Sequence, residues 1–141
     1  MRAVLDTSVV VAAVRSPTGA SKVLLDAALN GRFKMLLSSA LALEYEAVLS
    51  RPEHLEVSGF AQAEIGELLD AICRAAVRVA IRFRWRPQLG DPDDEMVLET
   101  AINGRAQAIV TFNRADFAPV ATRFGLDVLS PGEALKKLEA L

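Results

Sequence analysis

Ala3-Val4-Leu5-Asp6-Thr7-Ser8 is a short apolar run that stops at a carboxylate and two hydroxyls. A run of this length without polar alternation reads as a strand buried on both faces, and such strands belong to parallel sheets covered by helices. The position just past the carboxyl end of such a strand is where α/β folds bind ligands. Asp6 is therefore a site candidate. An Asp ahead of a helix also serves as an N-cap, accepting from the orphan N–H groups of the first turn. Convergence of other carboxylates on Asp6 is what separates the two readings.

Working outward, Phe33 to Leu37 is a second apolar run, and Val77, Val79 and Ile81 alternate as a strand does. Ala108-Ile109-Val110-Thr111 again ends in a hydroxyl, and Leu126-Asp127-Val128-Leu129 is a last short strand. Helical stretches lie between them. Val9 to Val14 fits either a strand or the start of a helix, whereas Val23, Leu24, Ala27 and Ala28 share a helical face that stops at Asn30-Gly31. Ser38-Ser39 offers a cap for a helix over 40–49, and the polar run from Arg51-Pro52-Glu53 to Gly59 reads as a surface connection. Ile65, Leu68, Leu69, Ile72 and Ala76 mark an amphipathic helix. Asp91-Pro92 opens a helix that runs to Asn103-Gly104, and Ser130-Pro131-Gly132-Glu133 is a capping box for a C-terminal helix bearing Leu135 and Leu138. Strands alternating with helices, with no linker or repeat, predict one α/β domain over 1–141 with a parallel sheet covered on both faces.

The composition narrows the class. Lys and Arg number 16 against 18 Asp and Glu, a formal net charge of −2, so there is no global footprint of a non-specific nucleic-acid binder. An enzyme acting on nucleic acid stays open, because carboxylates that hold divalent cations lower the net charge while attracting phosphate locally. The single cysteine, Cys73, excludes an internal disulfide and falls among apolar helical positions, as a packing residue would. The one histidine, His54, lies in the breaker-rich connection, so thiol and imidazole chemistry are not expected. With no signal peptide and no long apolar run, a soluble, cytoplasmic protein without membrane contact is the expectation.

Two further acids lie on inward faces. Leu37, Leu41, Glu44 and Val48 recur at helical spacing, and an acid on a core-facing stripe is costly unless paired or bound to metal. Glu46 falls off that stripe and should be solvated. In Asp91-Pro92-Asp93-Asp94-Glu95, Asp91 suits the N-cap, Pro92 the first helical position, and the acids the helix dipole. Asp94 starts the face carrying Val97, Leu98 and Ala101, so its carboxylate is aimed inward, whereas Asp93 points away. In a parallel sheet Asp6 and the Thr111 to Asp116 segment emerge at the same edge as Glu44 and Asp94. Carboxylates meeting there repel one another unless cations neutralise them, and hard oxygen ligands select Mg²⁺ or Mn²⁺. Phosphoryl transfer is the chemistry that uses such a site. Arg82-Phe83-Arg84-Trp85-Arg86 interleaves charge with aromatic rings, a pattern that fits nucleic-acid contact and fits an exposed edge strand equally.

In order and approximate spacing, these pieces resemble the PIN domain family of metal-dependent ribonucleases. The matching residues are Val4-Leu5-Asp6-Thr7-Ser8, Leu43-Glu44-Tyr45-Glu46, Asp91-Pro92-Asp93-Asp94-Glu95 before Val97-Leu98-Glu99, and Ile109-Val110-Thr111-Phe112-Asn113 followed by Asp116-Phe117. The resemblance implies a three-layer α/β/α fold with a mainly parallel sheet of four or five strands, binding Mg²⁺ or Mn²⁺ and hydrolysing single-stranded RNA as an endoribonuclease. By the same resemblance Asp6, Glu44 and Asp94 are the first three catalytic and metal-binding acids, with Ser8 and Thr111 in support. Many relatives carry Asp where this chain has Asn113, which leaves the fourth metal corner open among Asn113, Asp116 and Asp91, with Asp116 also a candidate catalytic acid. Arg82, Arg84, Arg86 and Arg114 are candidate RNA contacts. A chain of this kind is similar to the toxins of bacterial toxin–antitoxin pairs, which implies a small antitoxin partner and a homodimer. The competing reading is a weakly active or non-catalytic PIN-like module that binds RNA or protein. A dehalogenase-like phosphatase is disfavoured because Ser8 stands where a second Asp is needed, and a receiver-type phosphoacceptor because 108–116 lacks a lysine.

Overall fold

The structure is a computed structural model that describes residues 1–84 and 88–141. Among the described residues the strands are β1 (Arg2–Leu5), β2 (Lys34–Leu37), β3 (Val77–Arg78), β4 (Ala108–Val110) and β5 (Asp127–Leu129). They form one sheet in the order β3-β2-β1-β4-β5, every pair parallel. The helices are α1 (Thr7–Arg15), α2 (Ala20–Leu29), α3 (Ser39–Leu49), α4 (Pro52–Ser58), α5 (Gln62–Ala75), α6 (Pro92–Asn103), α7 (Arg114–Ala121) and α8 (Pro131–Glu139). Crossovers step from β1 outward to β3, then return across the sheet to β4. Right-handed connections running in opposite directions put their helices on opposite faces, which produces the three-layer α/β/α arrangement. On one face α6 packs across β1, β2 and β4, while α2 packs against both α1 and α8.

The central strand is apolar because both its faces are covered. Ala3, Val4 and Leu5 are fully buried, and burying the two larger side chains contributes roughly 1.5–3 kcal/mol each. The order of strands reverses between β1 and β4, so the crevice beyond their carboxyl ends is the topological switch point of the sheet.

Val9 to Val14, open between strand and helix in the sequence, is helix, because α1 buries Val9, Val10 and Ala13 against the core. Other local expectations are corrected. The connection after Arg51 is the helix α4, with Pro52 at its first position and Gly59 closing it at φ 74°. That is the Pro-in, Gly-out signature of a helix, which the polar composition masked. Val23 is half-exposed, unlike Leu24, Ala27 and Ala28, and Cys73 faces solvent rather than the core.

The largest departure follows β3, which ends at Arg78 rather than continuing through Val79 and Ile81. The chain instead turns back along α6. Asn103 accepts from the backbone N–H groups of Arg82 and Phe83 at 2.8 and 2.9 Å, and its amide donates to the Phe83 carbonyl at 2.9 Å. Further along, Arg84 reaches Glu99 at 3.6 Å, and Glu95 accepts from the N–H groups of Gln88 and Leu89 at 2.6 and 2.7 Å. Glu95, Glu99 and Asn103 share one face of α6 at steps of four, and that face holds this strap. Trp85 and Arg86 lie outside the described residues. Among the described residues no helix is long and apolar enough to cross a membrane.

Candidate active site

Asp6 stands between β1 and α1, at the N-cap position, yet its side chain makes no capping hydrogen bond. Its Oδ2 instead accepts from the Ser8 hydroxyl at 2.9 Å and from the Thr111 hydroxyl at 2.7 Å. Thr111 is fully buried at the end of β4, where its Oγ1 also accepts the Asn113 N–H at 2.9 Å. The backbone completes the seam, with the Asp6 N–H donating to the Val110 carbonyl at 2.9 Å. Asp6 and Thr111 thus join directly across the switch point, and a carboxylate 6 % exposed is oriented by two hydroxyls on one oxygen. Among the described residues no hydrogen bond reaches its other oxygen, Oδ1.

Asp94 lies in the first turn of α6 and is 8 % exposed, whereas Asp91 and Asp93 are exposed. Asp91 is the cap expected of it, its Oδ1 accepting the Asp93 N–H at 2.9 Å. Burial, then the charges of Asp6, Asp91, Asp116 and Asp93, push the Asp94 carboxyl up to about 6. The same forces act on Glu44, half-buried on α3. Its carboxyl is raised by burial and by Asp93, Asp91 and Asp6, against the lowering effect of Arg51. Asp94 and Glu44 therefore both feel the charges of Asp6, Asp91 and Asp93. The helices that carry them are tied by a 2.8 Å hydrogen bond between the buried hydroxyls of Ser38 and Thr100.

The neighbour of Glu44 contributes more to the frame than sequence spacing indicates. Tyr45 is fully buried and its hydroxyl donates to the carbonyl of Leu5, the residue before Asp6. Burial and the Asp6 charge push its phenol well up. Its signal in the sequence is the i, i+4 step from Leu41, which places both on the core stripe of α3. Glu95 and Glu99, buried acids on α6, face the strap rather than the switch point, so burial alone does not mark the site.

Of the remaining candidates, Asp116 is exposed at the start of α7 and acts on Asp94 through its field, while Asn113 enters through its backbone and its side chain makes no cap bond. The arginines do not gather here. Arg114 is bonded to Glu133 at 2.6 Å, Arg84 is paired with Glu99, and Arg82 lies beside Asn103 at the opposite end of α6. Arg86 lies outside the described residues.

The donor chemistry suits a hard divalent cation: carboxylate and hydroxyl oxygens only, with an unengaged Oδ1 on Asp6 and repulsion already felt at Asp94 and Glu44. Among the described residues, no three His, Cys, Asp or Glu side chains stand as close together as ligands of one ion do. Repulsion acts to keep the carboxylates apart, and a cation's charge would act in the opposite sense. In comparison with known proteins, the model of the PIN domain matches residues 2–115. No curated protein matches the chain.

Proposed function

The chain belongs to the PIN domain family, whose members are generally nucleases that use divalent metal ions, and from that premise we propose a Mg²⁺- or Mn²⁺-dependent endoribonuclease acting on single-stranded RNA. The observation that carries this reading is the Asp6–Thr111 hydrogen bond across the switch point, beside an Asp94 whose carboxyl is lifted by burial and then by the charges of Asp6 and its neighbours.

In this reading Asp6, Glu44 and Asp94 hold the cation, with Asp91, Asp116 and the Asn113 amide as candidates for the remaining positions. The cation supplies a Lewis acid that activates water and offsets charge developing on the phosphate. Ser8 and Thr111 fix the rotamer of Asp6 by holding Oδ2, which leaves Oδ1 to meet the cation. Tyr45 fixes the backbone just before it through the Leu5 carbonyl. With a carboxyl near 6, Asp94 is a stronger base than an ordinary aspartate and is ionised at neutral pH.

The biological setting we propose is a cytoplasmic toxin that dimerises and is silenced by a small antitoxin protein. Its support is the resemblance alone, and a short antitoxin-like reading frame beside this one, together with a dimer mass by light scattering, is the result expected. A weakly active or non-catalytic RNA- or protein-binding module is favoured by one observation: Asn113 brings no charge to the position beside Thr111.

Purified protein is expected to cleave single-stranded RNA when Mn²⁺ or Mg²⁺ is added and to stop when the ion is chelated. Asp6→Asn and Asp94→Asn should each remove at least a hundredfold of the rate while circular dichroism stays unchanged. Metal-independent cleavage, or equal cleavage by the variants, overturns the assignment. Calorimetric titration with Mn²⁺ separates the non-catalytic alternative, which predicts no binding.

A further inference from the structure

We infer that the end of α6 opposite the acids is a second contact for RNA, a recess that binds the phosphates of a single strand. The recess, about 470 Å³, is lined by Arg2, Arg78, Arg82 and Arg105, with Phe83 and Asn103 at its wall, and no Asp or Glu lines it among the described residues. Arg2 is aimed by the backbone, its Nη2 and Nε donating to the Gly104 carbonyl at 2.7 and 3.2 Å. Among the described residues the guanidinium groups of Arg78, Arg82 and Arg105 have neither an ion pair nor a hydrogen bond.

Four like charges are thus held together without a carboxylate. A helix C-terminus attracts cations, but its partial charge is only about half an elementary charge, and the Arg2–Gly104 contact already meets it. Arg105 sits at φ 54°, a left-handed conformation that costs an L-residue roughly 1–2 kcal/mol and that Gly adopts freely. The backbone therefore gives no reason for an arginine there. Phe83 is 59 % exposed beside these charges. Guanidinium groups interleaved with an exposed ring match a chain of phosphates bearing unstacked bases, whereas an acidic peptide would match the charges alone. The recess lies a helix length, roughly 18 Å, from the acids, so it holds RNA on either side of the cleaved bond rather than the bond itself. The choice of RNA rests on the ribonuclease reading; the anion site does not.

The test is fluorescence anisotropy of labelled oligouridylate in EDTA, where no cleavage intervenes, across a salt series. For the Arg78→Ala, Arg82→Ala double variant, affinity should fall at least tenfold at low salt, and the slope of log K against log salt should become shallower by about 1.4, or ~0.7 per lost phosphate contact. Arg105→Gly should weaken binding several-fold while its thermal midpoint is equal to or above that of the parent, which separates contact from folding. Unchanged affinity and slope in all variants overturn the inference, as does polyglutamate binding as tightly as oligouridylate at matched salt. Loss of binding in the variants, with no Mn²⁺-dependent cleavage by the parent, leaves the recess standing and removes the nuclease. Cleavage by the parent with binding unaltered in the variants does the reverse.

Discussion

Asp94 is a carboxyl whose ionised form costs stability, as an acid of the proposed metal site would. Its folded value of about 6 lies above the 3.8 of an unperturbed aspartate, so between those values the folded chain keeps a proton that the unfolded chain has released. Its contribution to stability is therefore fully present below about pH 4 and is lost as pH rises through 6. Above that the ionised group is a liability of about 1–2 kcal/mol once solvent screening is allowed. In chelated protein, Asp94→Asn should raise the thermal midpoint at pH 7.5 and leave it unchanged near pH 3.5, while abolishing metal-dependent cleavage. Scanning calorimetry at the two pH values checks the sign. Thr111 gives a second residue-scale prediction. Thr111→Val removes one of the two donors to Asp6 Oδ2, which keeps Ser8, and the acceptor of the Asn113 N–H, so the two lost hydrogen bonds should cost about 1–3 kcal/mol together. The urea midpoint should drop accordingly, and cleavage should fall with it. The inward aim of Asp94 is legible in its helical spacing, whereas the hydrogen bond that holds Asp6 is not, because Thr111 lies far from it in the sequence.

At the scale of elements, α6 does two jobs with its two ends and one face. Its first turn carries Asp94 to the switch point, while Glu95, Glu99 and Asn103 hold the strap. The alternation of Val77, Val79 and Ile81 predicts a strand, and strand pairing does begin, with Val79 donating to Leu37 at 2.9 Å. It stops because Asn103 offers the N–H groups of Arg82 and Phe83 an acceptor outside the sheet. Asn103→Ala should therefore speed hydrogen exchange at those two amides at least tenfold while the amides of β1 keep their protection. Gly104, just past α6, is small for a packing reason. A Cβ there would lie 2.9 Å from Leu36 Cδ1, from Val79 Cγ2 and from the Thr100 carbonyl. Gly104→Ala should cost about 1–3 kcal/mol by overpacking, visible as a lowered denaturation midpoint.

For the whole molecule, the parallel sheet brings one carboxylate-bearing loop and two helix-borne acids to a single edge, and gathers arginines at the other end of α6. An ion held by the acids binds only the folded chain, so Mn²⁺ at 100 times its Kd should stabilise the protein by about 2.7 kcal/mol. The rise in thermal midpoint should be lost in Asp6→Asn. By itself the sequence determined the alternation of strands and helices, most of the caps and the inward aim of Asp94 on its helix, because hydrophobic period, Pro and Gly placement and helical spacing act over a few residues. Only the tertiary structure decided that Asp6 is held by Thr111, that Glu95 and Glu99 serve the strap, and that Arg82 joins Arg2, Arg78 and Arg105 away from the acids. Those outcomes depend on which hydrogen-bonding groups meet across long stretches of chain. A buried carboxylate or an exposed guanidinium acquires its role from the partner that folding brings to it.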